Sequence, residues 1–276
     1  MLIDTHAHLN FNAFDKDRNK VIKNCLENKI EIINIGTDFE TSKKAIEVAV
    51  KYEKGVNCAI GLHPTNLDTN LIKIKIDKCE GSHFEKEFDY AKYKNFILED
   101  KWKKIVAIGE IGLDYLNLPK SKTKKNLLKK EQKKLFEKQL GLAKEFGLPV
   151  ILHCRMAIDD IIEILSKKVF SNLSGTIHCF TGNLKQARKF LEMGFYIGLN
   201  GIIFKLDLDK VIKIIPIDRI LLETDCPYLT PPSFKEKRNN PLAVKHIAQK
   251  ISDIKKLDYN HIEKITTKNA KKLFNI

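Results

Sequence analysis

Apolar residues fall into two alternating patterns along the chain. Short runs rich in Ile, Val and Leu occupy residues 2–4, 31–35, 57–60, 104–108, 149–152, 175–177, 195–199 and 219–222. Several of them lack polar alternation, which is how a strand reads when both of its faces are covered. Between them lie helical spacings. Residues 17–29 place Val21, Ile22, Cys25 and Leu26 on one face, and residues 41–54 do the same with Ala45, Ile46, Ala49 and Val50. Residues 130–146 align Leu135, Phe136, Gln139, Leu140 and Ala143, and shorter helical patterns follow at 159–167 and 184–193. Such faces match the 3.6-residue period. Each βα pair has the length of a right-handed crossover. Eight such strands in a chain of 276 residues predict a TIM-type (β/α)8 barrel, a single α/β domain over residues 1–276. A doubly wound sheet shares the alternation, so the strand count carries the distinction. Two polar segments, 65–103 and 117–130, interrupt the rhythm and read as elaborated βα loops or their helices. No linker rich in Pro, Gly or Ser divides the chain, and no internal repeat is visible.

Composition narrows the function classes. Hydrophobic residues make up 43% and charged residues 30%, which excludes disorder as the main state. The longest apolar runs fall well short of the ~20 residues needed to span a bilayer. Asp4, His6 and His8 stand where the apolar core of a secretory leader would be, so none is expected. The cysteines at 25, 58, 79, 154, 179 and 226 contain no CxxC pair and are too sparse for a disulfide scaffold, so a cytoplasmic location is expected. Lys and Arg number 49 against 35 Asp and Glu, a net charge of +14. That excess suits an anionic partner such as nucleic acid. A base composition rich in A and T also inflates Lys, so charge alone assigns nothing.

The candidate chemistry follows the strands. In a (β/α)8 barrel the active groups sit at the C-terminal strand ends. His6 and His8 follow the first run, His63 the third, Glu110 the fourth, His153 the fifth, His178 the sixth and Asp225 the eighth. Five of the eight histidines therefore occupy strand ends. Side chains two apart on a strand point the same way, so His6 and His8 can grip one ion together. Imidazoles and carboxylates suit zinc, manganese, iron or nickel better than calcium. These groups outnumber the needs of one tetrahedral ion and fit two ions, roughly 3.5–4 Å apart, sharing a carboxylate. Glu223, two before Asp225, is placed either for a hydrogen bond to a ligand or for a plain buried polar contact. Cys154, Cys179 and Cys226 each follow a candidate ligand, and strand alternation would turn them into the packed core.

The motifs Asp4-Thr-His-Ala-His8, Gly61-Leu-His-Pro64, Gly109-Glu-Ile-Gly-Leu-Asp-Tyr115, His178-Cys-Phe-Thr-Gly182 and Leu222-Glu-Thr-Asp-Cys-Pro-Tyr-Leu-Thr-Pro231 resemble the TatD family of metal-dependent deoxyribonucleases. Asn239-Asn-Pro241 and residues 269–274 match as well, so the resemblance runs nearly end to end. It implies a barrel of the metallo-dependent hydrolase superfamily with two divalent ions, Mg²⁺, Mn²⁺ or Zn²⁺. By that resemblance His6, His8, Glu110 and Asp225 hold one ion, and Glu110, His153 and His178 hold the other. It also implies trimming of DNA from 3′ ends, with RNA as a further substrate. Asp225 is the candidate base, with Glu110 beside it in the catalytic pair. His63 and Arg155 are candidate phosphate contacts, Arg offering a planar fork matched to phosphate. Asn200 is a candidate for orienting substrate.

Segment 64–109 is longer, and the lysines around 120–130 denser, than the family pattern. A monomer with no membrane association is expected. Two rivals differ in class. An amidohydrolase acting on an ester, lactone or amide commonly bridges its metals with a carboxylated lysine, where this chain has Glu110. A non-catalytic binder using the basic surface alone would need no ligand set. The lysines from 120 to 130 read either as a phosphate track or as a solvated helix start.

Overall fold

The computed structural model describes residues 1–72, 77–81 and 83–276. Its strands are β1 (Leu2–Ala7), β2 (Ile30–Ile35), β3 (Val56–Ile60), β4 (Ile105–Asp114), β5 (Val150–Arg155), β6 (Gly175–Ile177), β7 (Tyr196–Leu199) and β8 (Ile220–Leu222). They form one sheet in sequential order, every neighbouring pair parallel. The first and last strands meet just beyond their ends, where Asp225 N donates to His6 O at 2.8 Å and His8 N to Cys226 O at 3.0 Å. The sheet is thus a nearly closed barrel, as the alternating pattern predicts.

Helices α1 (Arg18–Glu27), α2 (Phe39–Ala49), α3 (Tyr90–Leu98), α4 (Lys122–Phe146), α5 (Ile158–Leu165), α6 (Leu184–Glu192), α7 (Asp209–Ile214) and α8 (Val244–Lys255) form the outer layer. The start of α2 is fixed by a capping box: Asp38 accepts from Thr41 N at 2.8 Å, and Thr41 Oγ1 accepts from Asp38 N at 2.9 Å. The barrel interior is filled by Ile3, Ile33, Ile35, Ala59, Ala107, Ile151 and Leu221. Ala270, Leu273 and Phe274 of α9 (Tyr259–Phe274) close it at the N-terminal end of the strands. With that end plugged, only the C-terminal mouth is left for chemistry.

Three features depart from the expected boundaries. Helix α4 begins at Lys122 rather than at residue 130, so most of the second polar segment is helix. Lys and Leu favour helix while fully exposed, and no apolar stripe marks the start. Helix α3 lies inside the first polar segment; residues 73–76 and 82 of that segment lie outside the described ones. Strand β4 runs through Asp114 instead of stopping near 108, with its register to β5 shifting between Ile108 and Ile111. Gly112 is required there: its φ is +145°, and a Cβ would stand 2.0 Å from His153 O. Among the described residues no helix is long and apolar enough to cross a membrane.

Candidate metal centre

The mouth collects the six expected ligands. His6 Nε2 and His8 Nε2 lie 3.1 Å apart. Glu110 Oε2 stands 3.4 Å from His6 Nε2 and 3.9 Å from His8 Nε2. Asp225 Oδ1 stands 3.9 and 3.5 Å from the same two nitrogens. Four ligands about 2.1 Å from a common tetrahedral ion would be roughly 3.4 Å apart, so this spacing fits a shared cation. The other oxygen of Glu110, Oε1, is 2.7 Å from His153 Nδ1 and 3.9 Å from His178 Nε2. His178 Nε2 is also 3.8 Å from Asp225 Oδ1, and its ring stacks on His6 with centroids 3.5 Å apart. Glu110 therefore straddles two nitrogen clusters, one on each oxygen.

Hydrogen bonds behind the ligands fix which nitrogen faces inward. His8 Nδ1 lies 3.1 Å from Ile35 O. A carbonyl only accepts, so Nδ1 carries the proton and Nε2 presents its lone pair to the cluster. His178 Nδ1 is 2.9 Å from Glu223 Oε1, a close but off-line contact. Glu223 is itself held by Cys179 N at 2.7 Å and Asn200 Nδ2 at 3.2 Å. Glu223 thus lies behind His178 as a buried polar contact and not in hydrogen-bond geometry. His63 differs. Thr65 N donates to His63 Nδ1 at 3.2 Å, so that nitrogen is the acceptor and Nε2 carries the hydrogen. His63 Nε2, 3.6 Å from Glu110 Oε1, is consequently a donor at the mouth rather than a lone pair for a metal.

Burial and mutual contact polarise the groups. Burial would raise Glu110, but His63, His6 and His153 outweigh it and hold the carboxyl well below its ordinary range. Asp225 is lowered in the same way, chiefly by His178 and His8 against burial. Burial opposes charge on His153 and His178, yet their carboxylate neighbours win and raise them to about 9 and about 10. Burial and the nearby His153 push His63 down to about 3, so it is neutral at pH 7.

Two further carboxylates, both within the sequence motifs, support the site, and no local pattern marks them. Asp114 Oδ2 is 2.9 Å from His153 Nε2, the nitrogen facing away from Glu110. Asp4 accepts from Thr224 N at 2.9 Å and from His6 N at 3.2 Å, tying the end of β1 to the segment carrying Asp225. Only the pairing of distant strands reveals either role.

Two other residues, Asn200 and Cys179, sit differently from expectation. Asn200 is fully buried, its amide committed to Glu223 and to Ile202 N, so it supports His178 from behind and does not face the mouth. Cys179 is only half-buried, with φ at +47° just past the end of β6; strand alternation no longer applies, and it turns toward Asn200 and the ligands. Cys154 and Cys226 are buried, as expected. Arg155 ends β5 with its side chain exposed and, among the described residues, makes no ion pair.

A parallel (β/α)8 barrel whose strand ends gather imidazoles around shared carboxylates defines a metal-dependent hydrolase. The sequence model described as TatD related DNase matches residues 3–275, and the chain belongs to that family. A metal-dependent hydrolase of Bacillus subtilis, YabD, is 39% identical over the whole of both chains. A Cronobacter sakazakii protein named 3′-5′ ssDNA/RNA exonuclease TatD is 31% identical, with 99% of this chain and 97% of the relative aligned. Among solved structures, the TatD homologue YJJV of Escherichia coli superposes with a TM-score of 0.81 at 27% identity, covering 100% of this chain and 98% of the other.

Proposed function

We propose that the protein hydrolyses phosphodiester bonds with two divalent cations, Mg²⁺, Mn²⁺ or Zn²⁺, and trims single-stranded DNA from its 3′ end, with RNA as a second substrate. The observation that carries this reading is the position of Glu110, whose two oxygens address separate nitrogen clusters. His6, His8, Glu110 and Asp225 would hold one cation; Glu110, His153 and His178 would hold the other. Bound there, the cations supply Lewis acidity that acidifies water and offsets charge on the phosphoryl oxygens. Asp225, ionised at neutral pH, accepts the proton of the attacking water. His63 donates from Nε2 to a phosphoryl oxygen, and Arg155 at the rim pairs with phosphate through its fork. The name of the Cronobacter relative supports the 3′-to-5′ direction on single strands. We take the protein to act as a monomer, and six unpaired cysteines suit the reducing cytoplasm.

The test uses end-labelled oligonucleotides with 3′ or 5′ single-stranded tails, each metal supplied separately. Shortening from the 3′ end with at least one of the three metals is expected. Intact 3′ tails under all three conditions would refute the assignment.

A further inference from the structure

The catalytic mouth accounts for one scissile phosphate but not for the lysines at the start of α4. Strand β4 delivers the chain to the mouth at Asp114, so α4 starts on the catalytic side and runs down the barrel wall. Residues 121–127 are all exposed, and Leu128 is the first buried position of the helix. Two turns of helix thus stand clear of the barrel beside the mouth. Among the described residues, Lys120, Lys122, Lys124, Lys125 and Lys130 make no ion pair; further along α4, Lys133 is compensated by Asp160 at 3.1 Å and Lys134 by Glu131 at 2.9 Å, while Lys138 and Lys144 are not.

The basic turns connect to the site through a short run of contacts. Asp114, which holds His153, pairs with Arg155 in the β4–β5 register. Tyr115 N donates to Arg155 O at 2.9 Å, and Lys129 Nζ sits 4.1 Å from the Tyr115 ring centroid. Beside them Met156 and Leu116 are 72% and 45% exposed, apolar surface against which a base can rest.

We infer that this rim and the first two turns of α4 form a track for the backbone of a single-stranded nucleic acid, several nucleotides away from the bond being cut. The occupant follows from charge complementarity: uncompensated lysines in line with the mouth match a strand of phosphates leaving it. The inference rests on the nuclease reading. It adds that substrate length, and not only the terminal nucleotide, sets affinity.

The experiment compares wild type with K122E/K124E/K125E and with the control K264E/K268E/K272E, which reverses an equal charge on exposed positions of α9 at the closed end of the barrel. Glu suits the first turn of a helix better than Lys, so the α4 variant keeps its fold. Binding of 20-nucleotide and 4-nucleotide single strands is read by fluorescence anisotropy on metal-free protein, and bis(p-nitrophenyl) phosphate turnover is read on metal-loaded protein. The α4 variant should lose at least about tenfold in affinity for the 20-mer, with a salt slope shallower by roughly 2. Its 4-mer affinity and small-diester turnover should match wild type. An equal loss in the α9 variant would overturn the track, because total charge would then explain the binding. So would unchanged 20-mer affinity. Wild-type protein that binds long strands tightly but cleaves no diester would instead strike at the nuclease reading.

Discussion

His153 stands between two carboxylates: its Nδ1 is 2.7 Å from Glu110 Oε1 and its Nε2 is 2.9 Å from Asp114 Oδ2. The two carboxylates outweigh burial and raise its pKa to about 9, so without a metal the ring carries both protons at neutral pH. When a cation takes the Nδ1 side, Asp114 keeps the remaining proton on Nε2 and so selects the tautomer that can ligate.

Asp114→Asn therefore weakens the site without touching a ligand. The amide can present its NH₂ to Nε2 and favour the wrong tautomer. Metal affinity at one of two positions should fall about 10–100-fold, while circular dichroism shows the fold retained. Competitive titration against a metal indicator checks this. Unchanged affinity for both metal equivalents would show that Asp114 does not set the ring.

Asp225→Asn should leave a folded protein with catalysis reduced by about 10²–10⁴-fold, the range expected for loss of a general base. Circular dichroism and single-turnover cleavage separate the two effects. A variant that retains wild-type turnover under saturating metal would remove Asp225 from the proton path.

Metal binding should release protons. Near pH 7.5 the metal-free protein holds extra protons on His153 and His178, raised to about 9 and about 10. A cation must displace one from each. Affinity should thus climb with pH up to about 9–10. Linkage gives the matching stability change: protonation of these raised groups stabilises the metal-free fold fully below about pH 6.5, and that contribution fades as pH rises through 9–10. Calorimetry in buffers of different ionisation enthalpy measures the released protons; a heat independent of buffer would contradict the assignment.

Phe274→Ala tests the division of labour between the barrel ends. Its ring is buried among Ile3, Val106 and Leu221 at the closed end. Removing it should cost about 3–5 kcal/mol of stability, read by denaturant unfolding, and leave metal stoichiometry and turnover at low temperature unchanged. Lost metal binding in a still-folded variant would mean that the two ends are coupled.

The succession of eight apolar runs was sufficient to read the barrel, because strands sealed on both faces need unbroken apolar stretches. The same succession put five histidines, Glu110 and Asp225 at one rim, since parallel strands all end on one side. Short-range pattern could not reveal the helix α7, or α9 as the plug under the barrel. The apolar stripe of α8 (Val244, Ile247, Ala248, Ile251 and Ile254) is present in the sequence, although no helix is expected there; the placement of α9 depends on which surface of the barrel remains uncovered. The late start of the expected α4 has a similar origin: residues 121–127 bury nothing and so leave no apolar signature.

At the site, residue type alone nominated the ligands, but pairing across strands decided their partners. Asp114 meets His153 only because β4 continues past a register shift, and Glu223 meets His178 only because β6 and β8 converge on it. Cys179 escapes the core because its backbone leaves the strand conformation. The sequence determined the chemistry available at the mouth, through the identity of side chains at strand ends. Tertiary structure alone decided the roles of the nitrogens: whether each carries a proton depends on what faces its far side, and those neighbours lie many residues away along the chain.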